Sequence, residues 1–348
     1  MTSATRALAP VFIVGGPRSG TAWLYHLLLS AGGFPVFLAE SGIFSELGPR
    51  FGDLSVPRRR AQLLDAWLPS EGFRRTGLDA TAFRHTVHEQ CRSTGDLLRL
   101  LMNGMAEQQQ VSRWAECSPE NLLHVAAIKQ SMPDALFLHI VRDGRDVACS
   151  LARQTSVRPA PDGASGVLRS ALYWEWMLRR GREQLRRCGP DAMEVRFEAL
   201  VAQPRETLAG IGAFLAHDLD FDRIIQRGLG TVREPNTAFA TDAIGQLFRP
   251  VGRWQRGLSV RRLARLEAAV GGLLEELGYE LYTDDVARER VRSEVRVRRS
   301  LAQGYFNGWH WLRTRSPLGR MFSRRSAFDP VAGDDAARPS PAPRKYTV

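Results

Sequence analysis

The stretch FIVGGPRSGTAWL, residues 12–24, decides the fold of this 348-residue chain. A short apolar run from Val11 to Val14 predicts a buried strand, and an apolar helix is predicted over residues 20–31. The loop between them contains glycine, proline and one arginine. Such loops bind anions, because glycines let the backbone approach a ligand and the first N–H groups of the helix point at it. We therefore predict a phosphate-binding cradle at residues 15–21.

The loop departs from the ATP-binding pattern at one informative position. From Gly15 it reads G-x-x-x-x-G-T, whereas the ATP-binding pattern is G-x-x-x-x-G-K-[ST]. The lysine that would reach the β- and γ-phosphates is absent, and Arg18 is the only basic side chain of the loop. This favours a phosphate ligand other than a magnesium nucleoside triphosphate.

The remaining apolar pattern switches repeatedly between the strand period and the helix period. Strands are predicted at residues 11–15, 34–38, 113–116, 135–141 and 192–197. Helices are predicted at residues 20–31, 57–69, 93–110, 119–131, 144–153, 167–187, 204–216 and 259–277. Alternating strands and helices predict an α/β protein, a three-layer P-loop-type fold with a central parallel sheet flanked by helices. In such sheets a ligand binds at the carboxyl ends of the strands.

Charge divides the chain unevenly. Residues 286–325 hold 11 Arg and 2 Glu, so +9 of the net charge of +11 lies there and only +2 elsewhere. We therefore predict a main domain over 1–283, a basic aromatic extension over 284–325 and a disordered tail over 326–348. No nucleic-acid partner is expected from this distribution. The extension could contact an anionic membrane surface or another polyanion, or it could dock on the domain.

Cysteine spacing and hydropathy indicate which kinds of site and which cellular location to expect. The four cysteines are scattered without a C-x-x-C motif, so neither a metal site nor a disulfide framework is expected. No run of 18 apolar residues and no secretory h-region is found, which predicts a soluble, cytoplasmic protein.

A second informative stretch is LHIVRDGRDVACS, residues 138–150. Arg142 follows the predicted strand, and Ser150 lies eight residues later on the next helix, so both can converge on a further phosphate. The alternative is a plain helix start, with Asp143 and Asp146 as capping acids and Arg145 as a surface charge.

Together the two stretches resemble the sulfotransferase family, whose donor is 3′-phosphoadenosine 5′-phosphosulfate. PRSGTAWL resembles that family's 5′-phosphosulfate loop, in the form typical of bacterial and tyrosylprotein-type members, and VRDGRDVACS resembles its 3′-phosphate segment. Three further segments extend the resemblance over about residues 10–280: WAECSPEN (114–121), VRFEALVAQPRETLAGIGAFL (195–215) and FRPVGRWQRGLS (248–259). The resemblance implies sulfuryl transfer to an acceptor hydroxyl, release of adenosine 3′,5′-bisphosphate, and no required metal.

The resemblance also implies roles for single residues. Arg18 would neutralise charge on the oxygen that bridges phosphorus and sulfur. The donor's 5′-phosphate would be held by Pro17, Ser19, Gly20, Thr21 and Ala22, chiefly through backbone N–H groups and the threonine hydroxyl. The 3′-phosphate end would be held by Arg142, Ser150, Arg249 and Arg253, with Trp254 over the adenine or, alternatively, packed in the core.

The acceptor hydroxyl needs a base, and Glu40 is the leading candidate. It lies 22 residues after Arg18, at nearly the spacing of the catalytic glutamate in tyrosylprotein-type members. A helix-capping or surface role is the alternative. Glu46 is the second candidate, and the histidines His85, His88 and His124 are weaker ones.

Two positions depart from the family pattern, which puts full activity in doubt. Cys117 stands where the family often has lysine, and Phe197 stands where it often has tyrosine. A P-loop kinase and a non-catalytic nucleotide-binding module are the rival functions. The sequence leaves open the oligomeric state and the acceptor, which could be a glycan, a lipid-linked sugar, a small phenol or a peptide tyrosine.

Overall fold

The computed structural model describes residues 3–153, 166–233 and 250–316. The strands are β1 (Val11–Gly15), β2 (Ala115–Cys117), β3 (Leu136–Val141) and β4 (Ala192–Arg196). In its first part the α-helices are α1 (Ser3–Leu8), α2 (Thr21–Ala31), α3 (Gly48–Phe51), α4 (Pro57–Trp67), α5 (Glu71–Arg74), α6 (Ala80–Gln90), α7 (Thr94–Gln108), α8 (Val125–Ser131) and α9 (Gly144–Leu151). The later helices are α10 (Gly166–Arg186), α11 (Phe197–Ala202), α12 (Pro204–Leu215), α13 (Phe221–Arg227), α14 (Trp254–Gly257), α15 (Val260–Glu276) and α16 (Asp285–Arg315). A π-helix (Ile43–Leu47) and 3₁₀ turns at Pro119–Leu123, Gly189–Asp191 and Gly230–Val232 complete the elements.

The four strands form one parallel sheet in the order β2-β1-β3-β4. β1 is central, with Val11 level with Ala115 on one side and with Leu136 on the other. The loop after β1 and the turn after β3 therefore lie at the same edge of the sheet, as expected for parallel neighbours. The predicted α/β fold with a central parallel sheet is confirmed.

Both faces of the sheet are covered by helices. Along β1, Phe12 and Val14 belong to a core cluster that includes side chains of α7, α10 and α15. Val11 and Ile13 belong to a second cluster, which includes side chains of α2 and α12. Strands buried on both faces read as continuous apolar runs, and this is why the sequence signal was clear for β1 and β3.

The predicted strand at residues 34–38 is wrong. Its backbone is irregular, and the main-chain N–H of Val36 donates to the side-chain oxygen of Gln109 at 2.7 Å instead of to a neighbouring strand. Phe34 and Phe37 are buried, so their apolarity reflects core packing. The place beside β1 is taken by β2, predicted only as a brief strand at 113–116.

The basic extension begins as a helix of 31 residues, α16, which the sequence reading did not predict. Its Phe306 is buried against Tyr173 and Trp176 of α10, with ring centroids 5.3 and 5.7 Å apart. The extension thus docks on the domain over residues 285–316, whereas membrane contact and the boundary at 283/284 stay predictions. In the part of the chain that the structure describes, none of the helices is long and apolar enough to cross a membrane. The Pro-, Gly- and Ser-rich stretch 156–166, which predicts a loop, lies outside the described residues except for Gly166, the first residue of α10. The tail at 326–348 also lies outside them.

Candidate active site

The cradle is formed where β1 ends and α2 begins. Arg18 lies in this loop with a φ of 69°, a left-handed conformation that a non-glycine residue adopts at a cost in free energy. Gly20, immediately before α2, has a φ of 101°. A β-carbon at Gly20 would lie 2.5 Å from the ring of Phe197, so this position also lacks space for a side chain.

The first prediction concerns this glycine. Gly20→Ala should lower the free energy of unfolding by about 2–4 kcal/mol, because the left-handed backbone and the Phe197 ring both oppose a β-carbon. Urea denaturation of the variant measures the change. Gly272→Ala is the matched control, since nothing lies within 4 Å of a β-carbon there, and inside helix α15 it should stabilise by about 0.5–1 kcal/mol. Equal effects of the two changes would contradict the proposed close approach at Gly20.

Two arginines and a serine meet beside the cradle, and the convergence of Arg142 and Ser150 on a second phosphate stays a prediction. The Nε of Arg18 donates to the Ser150 hydroxyl at 3.1 Å. The Nη1 of Arg142 donates to the main-chain carbonyl of Arg18 at 3.2 Å. Burial and the positive charges of Arg142 and Arg153 lower the pKa of Arg18. Like charges held this close mark a site where an anion binds favourably.

Arg142 is nearly inaccessible, with 2% of its surface exposed. Its guanidinium lies 4.4 Å from the ring centroid of Phe197, and its Nη2 donates to the carbonyl oxygen of Pro250 at 2.5 Å. The Nε is buried and has no hydrogen-bond partner among the described residues. Burial lowers the pKa of Arg142, and Asp146 raises it in part. Arg142 is therefore covered by the segment around Pro250 and does not lie on an open surface.

The acids of the VRDGRD segment hold this arrangement together. Asp146 accepts hydrogen bonds from the main-chain N–H groups of Gly252 (2.8 Å) and Trp254 (3.0 Å), and it lies 3.7 Å from Arg142. Asp143 caps α9 by accepting from the N–H of Arg145 at 2.8 Å. The capping role weighed for Asp143 is thus observed, whereas Asp146 anchors the loop at 250–254.

The reading of Arg145 as a surface charge is wrong. Arg145 is 2% exposed and forms ion pairs with Asp143 (2.9 Å) and with Glu267 of α15 (2.8 Å). Its guanidinium also lies 4.1 Å from the ring centroid of Trp254. The hydrophilic pattern of this segment hides a buried ion network, because each charge has a partner inside the protein.

A cavity of about 490 Å³ opens in front of the cradle. One side is polar and includes five loop or helix-start residues and Glu40: Pro17, Arg18, Gly20, Thr21, Ala22 and Glu40. The other side is mostly apolar and includes Trp23, Leu27, Phe197, Leu200, Val201, Phe221, Ile225 and Val232. The structure therefore places both predicted catalytic side chains, Arg18 and Glu40, on one cavity.

Glu40 reaches this place without the strand expected before it. The hydroxyl of the next residue, Ser41, donates a hydrogen bond to the Glu116 carboxylate at 2.8 Å. Glu116 is 1% exposed and also accepts hydrogen bonds from Ser118 and, at 2.6 Å, from Asn121. Burial raises the pKa of Glu116, although these three hydrogen bonds lower it in part. The WAECSPEN segment is thus a buried network that holds the chain beside Glu40.

Cys117 lies between the cradle and Glu40. Burial raises the pKa of its thiol well above the usual value, and the carboxylates of Glu40 and Glu116 raise it further. The Thr21 hydroxyl is hydrogen-bonded to this thiol. A neutral thiol therefore occupies the place where a cation was expected from the family pattern.

Several predicted residues are placed differently from the expectation. The main-chain N–H of Ser19 donates to Gly16 at 3.0 Å, so it is used within the loop. The Ser19 hydroxyl is buried without a hydrogen-bond partner in the described ranges. Trp254 is buried beneath Arg145, with Tyr282 5.0 Å away, and is not part of the cavity wall.

The remaining candidates fall into two groups. Arg253 is half-buried, and its positive charge lowers the pKa of Arg142. Arg249 lies outside the described residues. Among the alternative bases, Glu46 is buried in the π-helix and His85 and His88 are exposed on α6. Burial and the nearby His310 lower the pKa of His124 to about 4.

The sequence reading missed the apolar wall of the cavity. Trp23 is only half-buried and lies 5.7 Å from the ring of Phe197. The signal was its position in the first turn of α2, directly after the cradle. The role of Asp146 carried no sequence signal, because Gly252 and Trp254 lie more than 100 residues further along the chain. For Glu116 only the contact with Ser41 is distant in sequence, since Ser118 and Asn121 belong to the same segment.

The loop between β1 and α2, with Arg18 and Glu40 on one cavity and Arg142 beside the loop, gives the protein a site at the position typical of P-loop-type folds. A family model described as the sulfotransferase family matches residues 10–223. The chain therefore belongs to the sulfotransferase family, as its motifs indicated.

Solved sulfotransferase structures resemble the protein at low identity. The sulfotransferase domain of the Synechococcus PCC 7002 olefin synthase is 20% identical with a TM-score of 0.51, over 78% of this chain and 96% of that one. The STF9 sulfotransferase from Mycobacterium avium is 16% identical with a TM-score of 0.43, over 79% and 78%. The mouse sulfotransferase SULT7A1, solved with PAP, is 15% identical with a TM-score of 0.43, over 81% and 87%. The first of these supports the fold. A search of curated proteins finds no match.

Proposed function

We propose that this protein transfers a sulfuryl group from 3′-phosphoadenosine 5′-phosphosulfate to the hydroxyl of an acceptor. The observation that carries the proposal is a single cavity whose polar lining includes both Arg18, from the loop before α2, and Glu40. A cation can stabilise the leaving phosphate while a carboxylate takes the acceptor's proton. Family membership makes this chemistry the expected one for such a site.

The polar half of the cavity fits the phosphate end of the donor. The start of α2 offers main-chain N–H groups that have no partner within the helix. The Ser19 hydroxyl and the Nε of Arg142 are buried donors without partners in the described part of the chain. We assign Arg142, Ser150 and Arg253 to the 3′-phosphate, whose oxygen would replace the Pro250 carbonyl that Arg142 now contacts.

The apolar half fits the adenine. Trp23 is half-buried and lines the cavity beside Phe197, and flat bases pack well against such an indole ring. This assignment replaces Trp254, whose ring is covered by Arg145.

In the transfer step the acceptor oxygen bonds to sulfur as the bond from sulfur to the 5′-phosphate oxygen breaks. Glu40 receives the proton of the acceptor hydroxyl. Arg18 and the N terminus of α2 stabilise the negative charge that appears on the departing phosphate oxygen. The products are a sulfated acceptor and adenosine 3′,5′-bisphosphate. The acceptor belongs to one of the hydroxyl classes named above and presents its hydroxyl to Glu40.

The two rivals are less well supported. A P-loop kinase needs a lysine in the loop and often an acid after the next strand for magnesium. Here the loop has Arg18, and Asp143 and Asp146 are both engaged in hydrogen bonds within the protein. A non-catalytic nucleotide-binding module would have no need of Glu40 on the cavity wall.

Calorimetric titration tests the donor assignment. Adenosine 3′,5′-bisphosphate should bind tightly, and Arg142→Ala should weaken it at least about 30-fold, since it removes a buried charged donor. Arg142→Lys keeps the charge next to Asp146 and controls for misfolding, while Arg74→Ala removes an exposed arginine of α5 as a neutral comparison. Tight binding of magnesium ATP without bisphosphate binding would establish the kinase instead.

A further inference from the structure

Helix α16 carries apolar side chains on two opposite faces. The inward face is represented by Val295 and Phe306, which are 2% and 3% exposed and belong to the core. An outward face is formed by Val297, Leu301, Tyr305 and Trp311, which are 61%, 70%, 45% and 56% exposed. The helix therefore has an apolar surface in addition to the one that docks it on the domain.

The same helix is strongly basic. Residues 285–315 hold eight Arg against Asp285, Glu289 and Glu294, a net charge of +5. Arg290 and Arg296 are exposed and form no ion pair with any described residue. Basic helices that expose aliphatic and aromatic side chains beside arginines lie in the interface of anionic membranes.

A shallow groove next to the outward face also combines aliphatic side chains with arginines. It lies between α10 and α16, has a volume of about 300 Å³ and is lined by Leu168, Arg169, Leu172, Arg298, Leu301, Ala302 and Tyr305. Its aliphatic residues suit a hydrocarbon chain, and its two arginines suit a phosphate headgroup. Arg169 lies 4.6 Å from the ring centroid of Tyr305.

We propose that the outward face of α16 binds the surface of a bilayer that contains anionic lipids. Leu301 and Trp311 enter the interface between headgroups and acyl chains, and the exposed Arg290 and Arg296 contact lipid phosphates. A second copy of the chain is disfavoured as the occupant, because it would bring two helices of charge +5 together.

Vesicle co-sedimentation of the full chain tests the proposal. The protein should sediment with vesicles of phosphatidylcholine and phosphatidylglycerol, should not sediment with phosphatidylcholine alone, and should be released by salt. Arg296→Glu should weaken binding at least about tenfold, since each charge near such a surface contributes about fivefold.

A matched pair of valines separates insertion from a general effect of charge. Val297→Asp should weaken vesicle binding at least about tenfold, whereas Val260→Asp should leave it unchanged. Val260 is 76% exposed and is the first residue of α15, where an acid is favourable. Equal loss in both variants, or no binding of the unchanged protein to anionic vesicles, would overturn the proposal. Self-association would replace the proposal if light scattering showed a dimer that Val297→Asp dissociates and the unchanged protein did not bind vesicles.

Discussion

Arg18→Ala is expected to lower turnover about 10²–10³-fold, because it removes the cation that stabilises the departing phosphate. Turnover can be measured as labelled sulfate transferred to the acceptors of a cell extract when the protein is incubated with sulfur-labelled donor. Arg18 is the only charged side chain of the loop, and the neighbouring Cys117 supplies a neutral thiol where a second cation was expected. The remaining N–H groups of α2 explain why some activity should survive.

The same variant should be at least as stable as the unchanged protein when no donor is bound. Burial and the charges of Arg142 and Arg153 lower the pKa of Arg18, so its charged form is disfavoured in the folded state. Removing it relieves that repulsion, and the melting temperature should stay equal or rise. With bisphosphate bound, the unchanged protein should have the higher melting temperature, since the ligand stabilises it more than the variant.

Arg153→Ala provides the control for bulk charge. Arg153 is exposed, and its charge acts on Arg18 from a position that lies outside the cavity wall. Its loss should change turnover by no more than a few fold. If both variants lose activity equally, the contribution comes from the net charge of the site and not from a directed contact of Arg18.

The parts of this protein that the sequence predicted well are those with local causes. β1 and β3 are buried on both faces, so their apolar runs identify them. The glycines of the loop between Gly15 and Thr21 indicate its tight turn. The parallel sheet followed from those elements, and so did the position of Arg142 near the loop that carries Arg18. Family resemblance then supplied Glu40, for which the expected supporting strand does not exist.

The errors have non-local causes. Trp254 and Arg145 form a stacked pair whose charge is neutralised by Glu267, more than 100 residues from Arg145 in the chain. Phe34 and Phe37 pack in the core while the Gln109 side chain bonds the backbone of Val36, and the strand period cannot distinguish this arrangement from a sheet. Composition likewise marked the extension as basic without showing that one face of it docks.

Glu40→Gln is expected to lower turnover about 10²–10⁴-fold while bisphosphate affinity stays unchanged. The amide keeps the size of the side chain but cannot accept the acceptor's proton. Glu40 is exposed on the cavity wall, so the substitution should leave the free energy of unfolding nearly unchanged. Calorimetry with bisphosphate and the labelled-donor assay give the two values separately.

Glu46→Gln is the matched control, and it decides between the two candidate bases. Glu46 is 9% exposed within the π-helix and does not line the cavity, so its amide should retain turnover within a few fold. Unchanged turnover in Glu40→Gln together with a collapse in Glu46→Gln would transfer the base to Glu46. Loss of bisphosphate affinity in Glu40→Gln would instead mean that this carboxylate shapes the donor side of the cavity, because a base for the acceptor contributes nothing to binding of the bisphosphate product.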